Sequence, residues 1–402
     1  MHRAPDDDRR AWLATCALLG LIAIAKGLRL PSLWAATQME VNYDFGFVKR
    51  GLFGALLSLL RVPASEYVKV LLVSGAVLLV MLVLLVWQAR ASGAFPLIGR
   101  GAAVAVFCSS YALTYLVHCI GYFDICLLAL TLATVIATRT LIGGTVLVAA
   151  AAIVGVLIHE MYALVFFPVT VLPLLLRATG GNGSVKRIVP LAVLTLLLAC
   201  LVIFIASGPA MTGAQIDAMR SAITARADFL PRQDFFEVLS RSLLDNVMIM
   251  YHKFGTVRWW IDELGASLAF LPTAGFFLGI SLGVVARFHP EARRRLVYAG
   301  IVVASLSPAL MQFLGWDIYR WYALLVVNSF IVMTIVSGHY LSPARREFAV
   351  EPLSRYVVPL IGVNMATGVG LFDNYTVATF PFGEHILNLI NLLSHHWTLP
   401  LW

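Results

Sequence analysis

The run Tyr67–Gln88, YVKVLLVSGAVLLVMLVLLVWQ, decides the fold. From Val70 to Gln88 no side chain is ionisable. As a helix rising 1.5 Å per residue, such a run covers the roughly 30 Å hydrocarbon core of a bilayer. Hydrocarbon offers the backbone no hydrogen-bond partner, so a helix is the form that satisfies it internally. The pattern recurs along all 402 residues, which are 60% hydrophobic and 12% charged, with mean hydropathy +0.87. Soluble domains of this size do not have that composition. The expected fold is all-α: one polytopic transmembrane helical bundle, residues 1–402, without a separable soluble domain.

Apolar runs predict about eleven spans, at 11–28, 67–88, 101–118, 124–138, 141–158, 161–176, 188–206, 265–286, 296–314, 321–341 and 356–372. The first run lacks a clear small-residue cleavage site and reads as an anchor. Gly51–Leu60 is too short to span and reads as an interfacial or re-entrant helix. His385–Ser394, with the amphipathic run ILNLINLL, reads the same way. The five cysteines, Cys16, Cys108, Cys119, Cys126 and Cys200, have no metal spacing and read as buried thiols.

Lys and Arg placement gives the orientation. With the N-terminus in the cytoplasm, the cytoplasmic segments hold over half of the 29 Lys and Arg but under a third of the 21 acids. The net charge of +8 is then a matter of topology rather than nucleic-acid affinity. RFHPEARRR, Arg287–Arg295, is a basic cytoplasmic turn on this reading. Three outer segments follow: a first loop at 29–66 with its membrane-edge helix, a large partly helical loop at 207–264, and a C-terminal interfacial segment at 373–402.

Ionisable groups at the membrane edge are expensive and therefore functional candidates. Four clusters arrive at the same outer surface. NYDFGFVKRGLFG (Asn42–Gly54) carries Asp44, Lys49 and Arg50; GYFD ends in Asp124. IHE carries His159 and Glu160, and GWDIYRW carries Asp317 and Arg320. A carboxylate or histidine in such a set can act as general base, and the cations can hold a phosphate. Tyr43 and Trp316 are aromatics suited to a sugar face. Plainer readings stand beside these. Asp44 with Lys49 and Arg50 is a surface pair, Asp124 an N-cap, His159–Glu160 a tight turn, and Asp317–Arg320 a local helix pair. No zinc-protease motif is present, since Ala163 stands where H-E-x-x-H needs its second histidine, and no nucleotide-binding fingerprint appears.

At these motifs, over roughly residues 10–375, the chain resembles bacterial GT-C membrane glycosyltransferases and O-antigen-polymerase-like proteins. The resemblance rests on Asp44 in the first outer loop, followed by FVKRGLFG, GYFD, IHE and GWDIYRW in that order. It implies a polyprenyl-phosphate- or polyprenyl-diphosphate-linked sugar donor, a glycan or lipid-linked acceptor, and transfer on the periplasmic face of the bacterial inner membrane. Asp44 would be the base, with His159 and Glu160 as further catalytic candidates. Lys49, Arg50 and Arg320 would bind donor phosphate, while Tyr43, Asp124, Asp317 and Trp316 would contact substrate. No cofactor is implied. A divalent metal would need a second acid in the first loop, and the nearest companion of Asp44 is Glu40. The alternative function is a flippase or transporter of a lipid-linked saccharide.

Overall fold

The computed structural model describes residues 5–60, 65–92, 102–138, 140–180, 188–207, 211–315, 317–341 and 351–366. Trp316 and the segment 367–402, including the predicted run His385–Ser394, lie outside the described residues. Every regular element among the described residues is helical.

The chain opens with α1 (Pro5–Gly27), two short helices α2 (Leu33–Glu40) and α3 (Gly51–Ser58), and the long α4 (Glu66–Ala91). Ser65 starts α4 by accepting the Val68 amide, an N-cap bond worth about 1 kcal/mol. The predicted span 101–118 is split into α5 (Ala102–Ser109) and α6 (Tyr111–His118). The Ser109 and Ser110 hydroxyls donate back to the Val106 and Phe107 carbonyls at the break. Such back-bonding competes with helical hydrogen bonds. α6 and α7 (Phe123–Ala137) are bent against each other by 115°. Gly121 makes this turn at φ +87°, a region that side-chain-bearing residues rarely adopt, and a Cβ there would press on Ala35 and Pro31. Gln38 Nε2 donates to the Gly121 carbonyl at 3.0 Å and holds the bend.

α8 (Leu141–Ile158) leads through a tight turn into α9 (Tyr162–Val165) and α10 (Phe167–Thr179). Proline at the start of α10 interrupts the ladder, and Val169 bonds to Phe166 instead of Val165. Asn328 Nδ2 donates to the released Val165 carbonyl at 2.6 Å. After α11 (Val189–Ser207) come α12 (Gly213–Arg226), α13 (Gln233–Ser240) and α14 (Leu243–Phe254). The chain then returns through α15 (Val257–Phe288), α16 (Glu291–Leu306), a 3-10 turn at Ser307–Phe313, α17 (Ile318–Tyr340) and α18 (Val357–Ala366).

Among the described residues seven stretches are long and apolar enough to cross a membrane, eight if the bent α6–α7 pair counts as one. They are α1, α4, α8, Tyr162–Thr179, α15, Arg293–Phe313 and α17. All eleven predicted spans overlap helices; α5, α6 and α7 are each too short to pass alone, while α11 is a nineteen-residue apolar helix and the run 356–372 is described only to Ala366. The difference is physical, because hydropathy does not separate lipid contact from burial in protein. In α5 every residue from Ala102 to Phe107 is buried. By contrast, α4 exposes Leu72, Leu79, Val83 and Val86, and α8 exposes Ile142, Val146 and Ile153, as lipid-facing helices do. Cys200 on α11 is exposed rather than buried, on the outward face of an apolar helix.

α17 is the hub. It is buried along nearly its whole apolar stretch and packs against α15, α16, α6 and α10. A second, smaller core sits outside the bundle. Val41 and Val48 from the first loop join Met219 and Ile223 of α12 and Phe235 and Phe236 of α13. Arg226 ties this cap to α2, donating to Glu40 Oε2 at 2.9 Å and to the Glu40 carbonyl at 2.6 Å. The Asp228 carboxylate accepts the Tyr67 amide at 2.9 Å.

Candidate functional site

The first loop reaches the bundle through Arg50. Among the described residues it is the one non-glycine with positive φ, at 70°. That conformation costs about 1 kcal/mol and is sustained only where surrounding contacts hold it. Arg50 precedes α3, which presses on the loop so closely that a Cβ on Gly54 would sit 2.0 Å from the Val41 carbonyl. The guanidinium is thereby aimed at the turn after α8. Arg50 Nη2 meets Glu160 Oε1 at 2.6 Å, and its Nε bridges both carboxylate oxygens at 3.2 Å. Nη1 has no partner among the described residues.

Glu160 and His159 share that turn. Burial would raise the Glu160 carboxyl, but the Arg50 guanidinium and the His159 ring hold it well below the usual carboxylate range. Burial, aided by Arg50, lowers His159 below the usual histidine value, so the ring is neutral near pH 7. Two neighbours compete for Nδ1. The Met161 amide at 3.2 Å asks for its lone pair, and Glu160 Oε2 at 3.2 Å asks for a proton. An ionised carboxylate against a lone pair is repulsive, while a charge-assisted bond is strong. The Met161 amide donates to Nδ1, and a proton placed instead on Nδ1 and shared with Glu160 would leave the ring lone pair on Nε2. That nitrogen bonds no other described residue. Phe123, at the start of α7, packs its ring edge-on to His159 with centroids 6.3 Å apart.

One residue further along the turn, the Met161 sulfur lies 3.6 Å from Arg320 Nη2. Arg320 grips Asp124 with two bonds of 2.8 Å, through Nε and Nη2, and Asp317 with one of 3.1 Å through Nη1. Asp124 is 1% exposed and makes no N-cap bond, the cap position of α7 being Tyr122. Arg320 also lies over the Trp321 and Tyr122 rings, at 4.8 and 5.7 Å. Two buried ion pairs are thus linked by the three-residue turn His159–Met161. The starts of α3, α7 and α17 and the end of α8 bring them together.

The remaining expected residues are placed differently. Asp44 is exposed, and its carboxylate bonds only Asn42 among the described residues, at 2.7 Å. The Asn42 side chain in turn accepts the Asp44 amide, so the acid belongs to a local Asx turn. Lys49 is half-buried and donates to the Arg241 carbonyl at 2.7 Å, between α13 and α14. Burial lowers its ammonium below the usual range. Arg320, expected on a phosphate, is already neutralised by two carboxylates. Tyr43 stacks on Phe47 with rings 7° from parallel, and burial raises its phenol. With Gly46, Phe47, Leu52 and Leu157 it lines an open apolar groove of about 410 Å³. Leu52 and Leu157 stand two and three residues from Arg50 and Glu160, which sets the groove beside that pair.

Sequence reading missed Glu263. The start of α15 at Val257, earlier than the predicted 265, carries this acid inside a helix. The Tyr322 hydroxyl donates to Glu263 Oε1 at 2.6 Å and lies 2.7 Å from Ser267 Oγ. Nothing in the sequence separates Glu263 from its neighbour Asp262, which pairs with Arg258 on the surface. Among the described residues no three His, Cys, Asp or Glu side chains are close enough together to hold a metal ion. No protein-family model, curated protein or solved structure matches this chain.

Proposed function

We propose that the protein is a membrane glycosyltransferase of GT-C type. It would take a polyprenyl-phosphate- or diphosphate-linked sugar on the periplasmic face of a bacterial inner membrane, with its N-terminus in the cytoplasm. One observation carries this reading. A neutral histidine with a free Nε2 and an arginine with a free Nη1 are held by one carboxylate, Glu160, beside an apolar groove. The acceptor hydroxyl oxygen attacks the anomeric carbon and its proton passes to His159 Nε2. The bond from that carbon to the phosphate oxygen breaks, and the phosphate leaves with the electron pair, its charge met by Arg50. Glu160 fixes the histidine tautomer and holds the guanidinium. Asp124, Asp317 and Arg320 position the turn from the far side. The base role moves from Asp44 to His159.

The test is purified protein with a panel of polyprenyl-phosphate and polyprenyl-diphosphate sugars, scored by release of the polyprenyl carrier. Transfer by the parent protein that falls about a hundredfold or more in His159→Gln and Arg50→Ala supports the reading. Folded variants as active as the parent sink it. The second reading, movement of a lipid-linked saccharide, draws on the 115° break between α6 and α7, since interrupted helices are common at transport sites. Movement of an intact donor across a liposome membrane, without bond cleavage, would select it.

A further inference from the structure

The opposite end of the bundle carries a second polar cluster, where α15 turns into α16 and α17 ends. Topology alone accounts for arginines at one end of a membrane protein. It does not account for enclosed guanidinium nitrogens on half-buried arginines, because an arginine serving orientation extends its guanidinium into water. Here Arg293 Nη1, Arg294 Nε and His289 Nε2 are all enclosed without a hydrogen-bond partner among the described residues.

His289 is 2% exposed. Its Nδ1 lies 2.5 Å from the Tyr340 hydroxyl, and Arg294 Nη2 donates to its carbonyl at 3.1 Å. A tyrosine hydroxyl donating to Nδ1 leaves the ring proton on Nε2. All three orphaned atoms are then donors. Burial, with Arg294 and Arg293 nearby, lowers His289 and keeps it neutral, so the cluster carries two full positive charges. Neither arginine forms an ion pair with a described carboxylate. Both stand in the first turn or so of α16, whose N-cap residue, Pro290, offers no side-chain acceptor. The positive end of a sixteen-residue helix therefore faces the same region.

Each enclosed donor left unmade costs about 1–3 kcal/mol, so three together call for an acceptor. A carboxylate has two oxygens and one negative charge. Free phosphate or a phosphate monoester has at least three acceptor oxygens and a charge near two at neutral pH, matching three donors and two cations. We infer that His289, Arg293 and Arg294, at the start of α16, bind a phosphate group, carried by an anionic lipid headgroup or free in solution.

Full-length protein in neutral detergent is titrated with sodium phosphate against sodium chloride at equal ionic strength. It is titrated separately with mixed micelles of phosphatidic acid, whose headgroup is a phosphate monoester, against phosphatidylcholine. Thermal unfolding and direct binding are the readouts. Binding should weaken at least about tenfold in the Arg293→Gln/Arg294→Gln double variant, the loss of charge-assisted bonds being worth that much. It should stay within about twofold in Arg295→Gln, whose side chain is exposed on the same turn. Response to phosphate assigns a soluble ligand; response to phosphatidic acid alone assigns a headgroup. His289→Gln provides a second variant should the double one fold poorly, and it should also weaken binding. Stabilisation by neither ligand, or equal loss in the buried-site variants and Arg295→Gln, overturns the assignment.

Discussion

Arg50 and Glu160 stand 110 residues apart in the chain and meet at 2.6 Å, through a guanidinium held at a left-handed backbone position. The pair is mostly enclosed, with side-chain exposures of 12% and 22%. Removing the carboxylate leaves a cation without its counter-charge. Glu160→Gln is expected to lower stability by about 2 kcal/mol, below the usual cost for a fully buried pair because water reaches this one. Chemical unfolding in detergent measures it. A change under a few tenths of a kcal/mol would show the pair to be incidental.

The Asp124–Arg320 pair is more deeply buried, at 1% and 11%. Asp124→Asn keeps the shape and removes the charge, and should cost about 3–5 kcal/mol. Arg320→Gln should cost a comparable amount. In the double variant neither charge is stranded, so its loss should fall well short of the sum of the two. Strict additivity would mean that the 2.8 Å bonds contribute nothing of their own.

Asp44→Asn separates the loop acid from the buried pair. Its carboxylate is exposed and bonds Asn42 two residues away. The substitution should leave stability within about 0.5 kcal/mol of the parent, as surface changes usually do. Under the proposed mechanism transfer activity should change only a few-fold, while His159→Gln falls about a hundredfold or more. The reverse ranking would return the base role to Asp44.

Several of these features were legible in the sequence and others were not, for identifiable reasons. Ionisable residues are so costly at a membrane edge that Arg50, Asp124, His159, Glu160 and Arg320 stood out from composition alone. Their pairing did not, because Asp124 meets Arg320 across 196 residues and only helix packing decides it. The local signal for Asp44 was available: Asn42 two residues before an acid is a common Asx turn. The split of the predicted span 101–118 into α5 and α6 was not legible because a helix buried in protein is as apolar as one facing lipid. Glu263 was invisible because only the first turns of α15, starting at Val257, turn one acid toward Tyr322 and its neighbour toward Arg258.

The pH response follows from the histidine and the carboxylate together. His159 is lowered by burial and by Arg50, so the unfolded chain takes up its proton first as pH falls below about 6.5. Stability therefore declines as pH drops through the window between that value and the lowered native one. Glu160 is held well below its usual range, chiefly by Arg50 acting against burial. Its contribution is full above the unfolded value of about 4.3 and is lost as pH falls through the native one. Both groups thus push in the same direction, in two separate windows. Melting temperature measured across acid and neutral pH should fall in two stages, and His159→Gln should flatten the upper one while leaving the lower. Transfer activity, which needs the neutral ring, should hold its full value below the pH at which an ordinary histidine protonates. A parent activity that already declines near pH 7 would mean that the ring is not held neutral by burial.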